Sequence, residues 1–181
     1  GILKIIQKPK TKINIDSEPD VSLSLSEGAN GVSSGPGFKV FGIFFDEIGR
    51  VSITGMANYG NAVEIFINKK KEGHYFLNSN NEWTIKSKSS LNFGQHLLKA
   101  NLIDNQGEKI NKISIPFLRA EIPKGVLPED YVIIKPGDML WTISYRVYGN
   151  PWKYVEIYDE NKDQISNPDL IFPGQIFTLP N

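Results

Sequence analysis

Between Phe38 and Leu118 apolar and polar residues alternate with a period of two. Val51 and Ile53 share one face before Gly55. Val63, Ile65 and Ile67 alternate with Glu64, Phe66 and Asn68, and Trp83 and Ile85 with Thr84 and Lys86. Leu98, Ala100 and Leu102 line one face of another run, and Ile113, Ile115 and Phe117 line one face of a later one. This spacing places every second side chain on the same side of a pleated strand. Turn-forming stretches separate the runs: Glu47-Ile-Gly49, Lys69-Lys-Lys-Glu-Gly73, Asn78-Ser-Asn-Asn81 and Asn105-Gln-Gly107. About seven short strands at this spacing predict a β-sandwich.

After Pro128 the period changes. Tyr131 to Ile134 is a short β-branched run that reads as a buried strand, and Pro136-Gly137 turns the chain. Asp138 is placed to cap a helix whose face carries Leu140, Ile143, Ser144 and Val147. Gly149 is a stop, and Asn150 with Pro151 starts a second helix. Tyr154, Ile157, Tyr158 and Asn161 form the face of that helix. Asn167-Pro168 and Pro173-Gly174 read as turns, the latter of type II. Gln175 to Leu179 closes with a strand. The predicted order is strand, helix, helix, strand, with Asn161 and Asn167 bonding backbone at helix and loop ends.

The residues Gly137-Asp138-Met139-Leu140-Trp141-x-Ile143, Val147-Tyr148-Gly149, Ile157-Tyr158-x-x-Asn161, Asn167-Pro168-Asp169-Leu170-Ile171 and Pro173-Gly174-Gln175 resemble a LysM domain over about fifty residues. Met139 stands where the family usually has threonine. The resemblance implies a small α+β domain of βααβ order, with both helices on one side of a two-stranded antiparallel sheet. It also implies binding of N-acetylglucosamine-containing glycans, peptidoglycan or a chitin-like polymer. The glycan groove would lie between Gly137, Asp138, Met139 and Leu140 on one side and Asp169, Leu170, Ile171 and Pro173 on the other. Replacement of the threonine by Met139 removes one hydroxyl contact.

The alternating section resembles the immunoglobulin-like modules of bacterial surface proteins, through Gly55-x-Ala57, Gly60-x-Ala62-Val63-x-Ile65, Glu82-Trp83 and Gly94-x-His96. The cysteine pair of antibody domains is absent. The expected architecture is multidomain. Residues 1–36 are a linker or a partial strand, 37–120 an all-β immunoglobulin-like sandwich, 121–128 a linker and 129–181 the LysM domain. The serine- and glycine-rich stretch from Ser22 to Gly37 suits a flexible linker, whereas Val21, Leu23 and Leu25 alternating with serines suit an edge strand. The two domains are expected to fold separately around Pro123 to Pro128.

The 181 residues are 40% hydrophobic, enough for one or two small cores. Twenty basic and twenty acidic residues balance, but unevenly: eight acidic and four basic residues lie from Pro128 onward. An acidic C-terminal domain is a poor partner for a phosphate backbone, so nucleic acid is not expected, and a neutral sugar polymer fits better. There are no cysteines, which excludes disulfides, thiolate metal sites and a cysteine nucleophile. His74 and His96 are far apart in sequence, no serine sits in a nucleophile motif, and Glu156, Asp159 and Glu160 occupy a solvated helix face. No catalytic residue, metal or cofactor is expected. No run has the length of a membrane helix. Gly1-Ile-Leu-Lys-Ile-Ile lacks a starting methionine, and the sequence is expected to be a piece of a longer protein with targeting information upstream.

The expected function is therefore non-catalytic. The chain would hold a bacterial cell-envelope protein, periplasmic or cell-wall associated, on peptidoglycan, with the sandwich as spacer and another envelope protein as a further partner. The alternative is a protein–protein assembly module, because the Ile157-to-Ile171 motifs also resemble LysM domains of phage-tail and baseplate proteins. A ligand-sensing cytoplasmic LysM protein would carry a different partner domain, of which the sequence shows no trace.

Overall fold

The computed structural model describes residues 31–181. The alternation at Val21, Leu23 and Leu25, and residues 1–30 of the 1–36 stretch expected as a linker or partial strand, lie outside the described residues; within the remainder, Val32–Ser33 form a strand and Val32 is buried. Eight strands form two antiparallel sheets. The first is ordered β1 (Val32–Ser33), β2 (Phe38–Phe45), β3 (Val51–Ala57), β6 (Glu82–Lys86). The second is ordered β5 (Lys70–Phe76), β4 (Ala62–Ile67), β7 (Gly94–Ile103), β8 (Lys109–Arg119). One buried cluster draws on both: Phe38, Val40, Val51, Ile53, Trp83 and Ile85 from the first sheet, Val63, Ile65, Ile67, Leu98, Leu102, Ile113, Ile115 and Phe117 from the second. The two sheets thus face each other, and the apolar parity of each strand points inward, away from water.

The stretch Lys69–Gly73, expected as a turn, is mostly strand. The turn is tighter: Asn68 and Lys69 both have positive φ, 49° and 72°, as a two-residue hairpin of the primed type requires. The lysines that follow lie on β5, an outer strand, where charge is common because it opposes pairing with a foreign strand. Glu72 on that strand is 3% exposed. Its carboxylate accepts from the Lys88 N–H at 2.9 Å and lies 3.2 Å from the Lys70 ammonium. It therefore ties β5 to the segment leaving β6 of the opposite sheet.

Burial acts to raise the Glu72 pKa, but the Lys88 N–H and the Lys70 ammonium outweigh it and hold the carboxyl below the ordinary glutamate value. A lowered folded pKa stabilises the native state above the ordinary value, and that contribution is lost as pH falls through the folded value. Glu72→Gln is expected to destabilise the protein by about 1–3 kcal/mol at neutral pH. The gap from wild type should close on acidification through the carboxylate range. Urea melts at neutral pH and at about pH 3 would show it, and a gap independent of pH would refute the ionic role.

A 3-10 turn, Pro128–Asp130, leads into the C-terminal unit. There β9 (Tyr131–Ile133) pairs antiparallel with β10 (Ile176–Thr178). Between them lie α1 (Leu140–Tyr148), a 3-10 turn Pro151–Lys153, and α2 (Tyr154–Glu160). Ile134, Leu140, Ile143, Ile157, Ile165 and Phe177 form a second buried cluster that shares no residue with the first.

On α1 the buried face is Leu140, Ile143 and Ser144, but Val147 is exposed and Tyr148 packs on the core in its place. The Tyr148 hydroxyl donates to the Pro180 carbonyl at 2.6 Å, which draws the ring to the end of the sheet. Burial, with the Glu156 carboxylate adding to it, raises the Tyr148 pKa, so the hydroxyl stays a donor throughout the neutral range. Gly149 ends the helix with φ 66°, and Asn150 accepts from the Trp152 N–H at 3.0 Å.

Candidate functional site

The two loops that flank the β9–β10 ladder leave from one hydrogen-bonded base. Ile134 N–H donates to the Gln175 carbonyl, and Gly174 N–H donates to the Ile134 carbonyl, each at 2.8 Å. Each loop then contains a Pro-Gly turn. In the first, Asp138 N–H reaches the Lys135 carbonyl at 3.0 Å, and Gly137 has φ +84°. In the second, Gln175 N–H reaches the Phe172 carbonyl at 3.1 Å, and Gly174 has φ +86°. Proline at the second position and a positive φ at the third define a type II turn, and glycine meets that φ without a Cβ penalty.

Side chains fix the rest of each loop. Asp138 does not cap α1. Its buried carboxylate turns back, accepting from the Lys135 N–H at 2.9 Å and from the Arg146 guanidinium at 3.0 and 3.3 Å. A buried carboxylate needs such partners, and Arg146, two turns along α1, supplies a planar pair of donors that a cap position lacks. The helix start is held by Thr142, whose hydroxyl accepts from Met139 N–H at 3.1 Å. In the second loop Asn167 accepts from the Asp169 N–H at 2.9 Å, and its carbonyl accepts from Leu170 N–H at 2.9 Å.

Two buried glutamines and one asparagine brace this loop from behind. Gln175 Oε1 accepts from the Phe172 N–H at 2.6 Å. Gln164 Nε2 donates to the Ile176 carbonyl at 2.8 Å. Asn161 joins α2 to β10: Nδ2 donates to the Ile157 and Thr178 carbonyls at 2.7 and 2.8 Å, and Oδ1 accepts from Thr178 N–H at 2.8 Å. The bracing role of Gln164 was not read from the sequence. Gln164 ends the polar run Asn161-Lys-Asp-Gln164, so no local pattern marks it as buried.

The eight residues expected to line a groove are placed differently from one another. Leu140 belongs to the core cluster, and Ile171 packs against it. Gly137, Asp138 and Pro173 are buried in the loop bases. Met139 is half-buried, while Asp169 and Leu170 are exposed at the second loop's tip, Leu170 by 39%.

Trp141 is 41% exposed and meets Trp152 edge to face with centroids 4.7 Å apart. Trp152 and Tyr145 are more exposed still, at 71% and 63%. The histidines are engaged elsewhere: His96 Nε2 lies 2.7 Å from the Asn92 carbonyl and Nδ1 2.8 Å from Asn68 Nδ2, while His74 pairs with Glu64. Among the described residues no group of three or more His, Asp or Glu side chains is placed to hold a metal ion, and no helix is long and apolar enough to cross a membrane.

A small two-stranded sheet with short helices between its strands and two braced Pro-Gly loops makes up the C-terminal unit. Residues 132–180 match the family model for the LysM domain, and that segment is a LysM domain. It is similar to the potassium binding protein Kbp of Escherichia coli, 42% identical over 50 residues, which cover 28% of this chain and 34% of Kbp. It is also similar to an uncharacterized protein of Deinococcus radiodurans, 47% identical over 47 residues, covering 26% of this chain and 18% of that protein. The chain thus spans about a third or less of the length of these relatives. No solved structure gives a significant match to the chain.

Proposed function

We propose that the chain is a non-catalytic carbohydrate-binding module that holds a bacterial cell-envelope protein, periplasmic or cell-wall associated, on peptidoglycan. The observation that carries this reading is the LysM segment itself, with its two loops leaving one hydrogen-bonded base and Met139, Asp169 and Leu170 at solvent-facing positions. Backbone amides and carbonyls near the loop tips would meet N-acetyl groups, with Leu170 and Ile171 covering their methyls. The uncharged backbone of such a polymer suits a domain with twice as many acidic as basic residues. In this reading the two facing sheets are an immunoglobulin-like domain.

Sedimentation of the full chain with purified peptidoglycan, against cellulose as a glycan control, tests this. The chain is expected to pellet with peptidoglycan only. One shallow site should bind a short sugar with a dissociation constant near 1 mM, about −4 kcal/mol, so retention on polymer would depend on several sites acting together. Equal pelleting with both polymers, or with neither, would refute the reading.

A second reading is favoured by the exposed Trp141, Tyr145 and Trp152. Large aromatic side chains on a surface are typical anchors of protein interfaces, as an assembly module of the phage-tail or baseplate kind would use. This reading gains if the chain is not retained on peptidoglycan.

A further inference from the structure

Both Pro-Gly turns of the LysM domain rest on the sandwich. Pro173 O accepts from Leu118 N–H at 2.8 Å, and a Cβ placed on Gly174 would collide with the Leu118 carbonyl. A Cβ on Gly137 would lie 2.5 Å from the Gly31 carbonyl oxygen and 2.8 Å from the Gly31 nitrogen. These are close approaches of one backbone to another, which glycine at each turn permits.

The burial pattern agrees. On β8, Ile113, Ile115 and Phe117 point into the sandwich core, so Leu118 takes the opposite parity and leaves it. Leu118 is nevertheless 2% exposed, and Phe172 in the second turn is 7% exposed. Neither belongs to either core cluster. Two apolar side chains have thus been taken from water where the Leu118–Pro173 hydrogen bond joins the domains. The contacts involve the bases of the loops and leave Met139, Asp169 and Leu170 with exposed or half-exposed side chains.

We propose that the sandwich is a positioning surface for the LysM loops rather than a passive spacer. Leu118 seats the Pro173-Gly174 turn and Gly31 seats the Pro136-Gly137 turn. Docking then adds to the bracing within each loop and holds the two loops at one separation. A binding site whose walls are held before the ligand arrives loses less conformational freedom on binding, so docking would raise affinity without any sandwich residue touching the ligand. The consequence for affinity rests on the glycan reading; the seating of the loops does not.

The test uses the full chain with Leu118→Lys, which places a charge at the junction and leaves the sandwich core residues unchanged. Leu118→Ala adds no charge and serves if the lysine variant folds poorly, and Leu118→Met is the conservative control. Backbone 15N relaxation reads the loops directly. In wild type and Leu118→Met, residues 135–139 and 167–174 should be as ordered as β9 and β10, and the two domains should tumble together. In Leu118→Lys and Leu118→Ala the domains should tumble separately, both loops should lose order, and retention on peptidoglycan should fall several-fold with the β9 and β10 amides still protected. Separate tumbling with both loops still ordered would overturn the proposal, as would one body tumbling in the lysine variant, or retention that rises on undocking. If wild type itself is not retained on peptidoglycan, the glycan reading fails and the relaxation result still decides the seating of the loops.

Discussion

Asn161→Ala is expected to unfold the LysM domain at temperatures where wild type is native. Asn161 is fully buried. Its amide joins the last turn of α2 to β10 through the Ile157 carbonyl and both backbone groups of Thr178. Alanine would leave those groups without their side-chain partner. Each buried polar group left unpaired costs about 1–3 kcal/mol. The combined loss should reach about 3 kcal/mol, since neighbouring losses do not add fully. A domain of about fifty residues has stability on the order of 2.5–7.5 kcal/mol, so the variant loses a large share of it. Asn161→Asp is the sharper control. It keeps the shape but replaces the donor with a carboxylate oxygen facing two carbonyls, and should destabilise at least as much. Native-state amide exchange reads this domain apart from the sandwich: protection should drop across β9, α2 and β10. Unchanged protection in either variant would show that Asn161 does not hold the helix to the sheet.

The second large effect concerns binding. Leu170→Asp should reduce retention on peptidoglycan about tenfold, equal to roughly 1.4 kcal/mol. Leu170 is 39% exposed at the tip of the second loop, where its N–H is already used by the Asn167 carbonyl. An aspartate there would be well hydrated in the free protein. Covering it with the methyl of an N-acetyl group would strip that water without supplying a partner. Stability should change by less than about 0.5 kcal/mol, because the side chain fills no core. Loss of retention with an unchanged melt supports a sugar groove at this loop. A collapsed melt would make Leu170 structural. Unchanged retention with an unchanged melt would remove the groove from these residues and favour the aromatic surface of Trp141 and Trp152.

The features legible in the sequence are those set by residues within a few positions of one another. Strand faces followed from alternation, so Val63, Ile65 and Ile67, or Ile113, Ile115 and Phe117, lie in the core. The Pro-Gly pairs at 136–137 and 173–174 form tight turns, Gly149 ends α1 and Asn150 caps the turn that follows, because each of these choices depends on local φ and local hydrogen bonds. Partners brought together from a distance were not legible. Asp138 has cap-forming chemistry, and only the folded chain shows Arg146 taking its carboxylate. The lysines of 69–73 have turn composition, but pairing with β4 makes a strand of all but the first. On α1 the helical period admits either Val147 or Tyr148 to the core, and the Pro180 carbonyl, 32 residues beyond Tyr148, selects the tyrosine.

The junction shows the limit most clearly. Leu118 breaks the alternation of β8, which marks an apolar side chain on the outward face. No periodicity says that the Pro173-Gly174 turn, 55 residues later, is what lies against it. Local sequence sets which backbone shapes each segment can adopt. Which surfaces then meet is decided by burial and hydrogen bonding between segments whose separation along the chain carries no repeating signal.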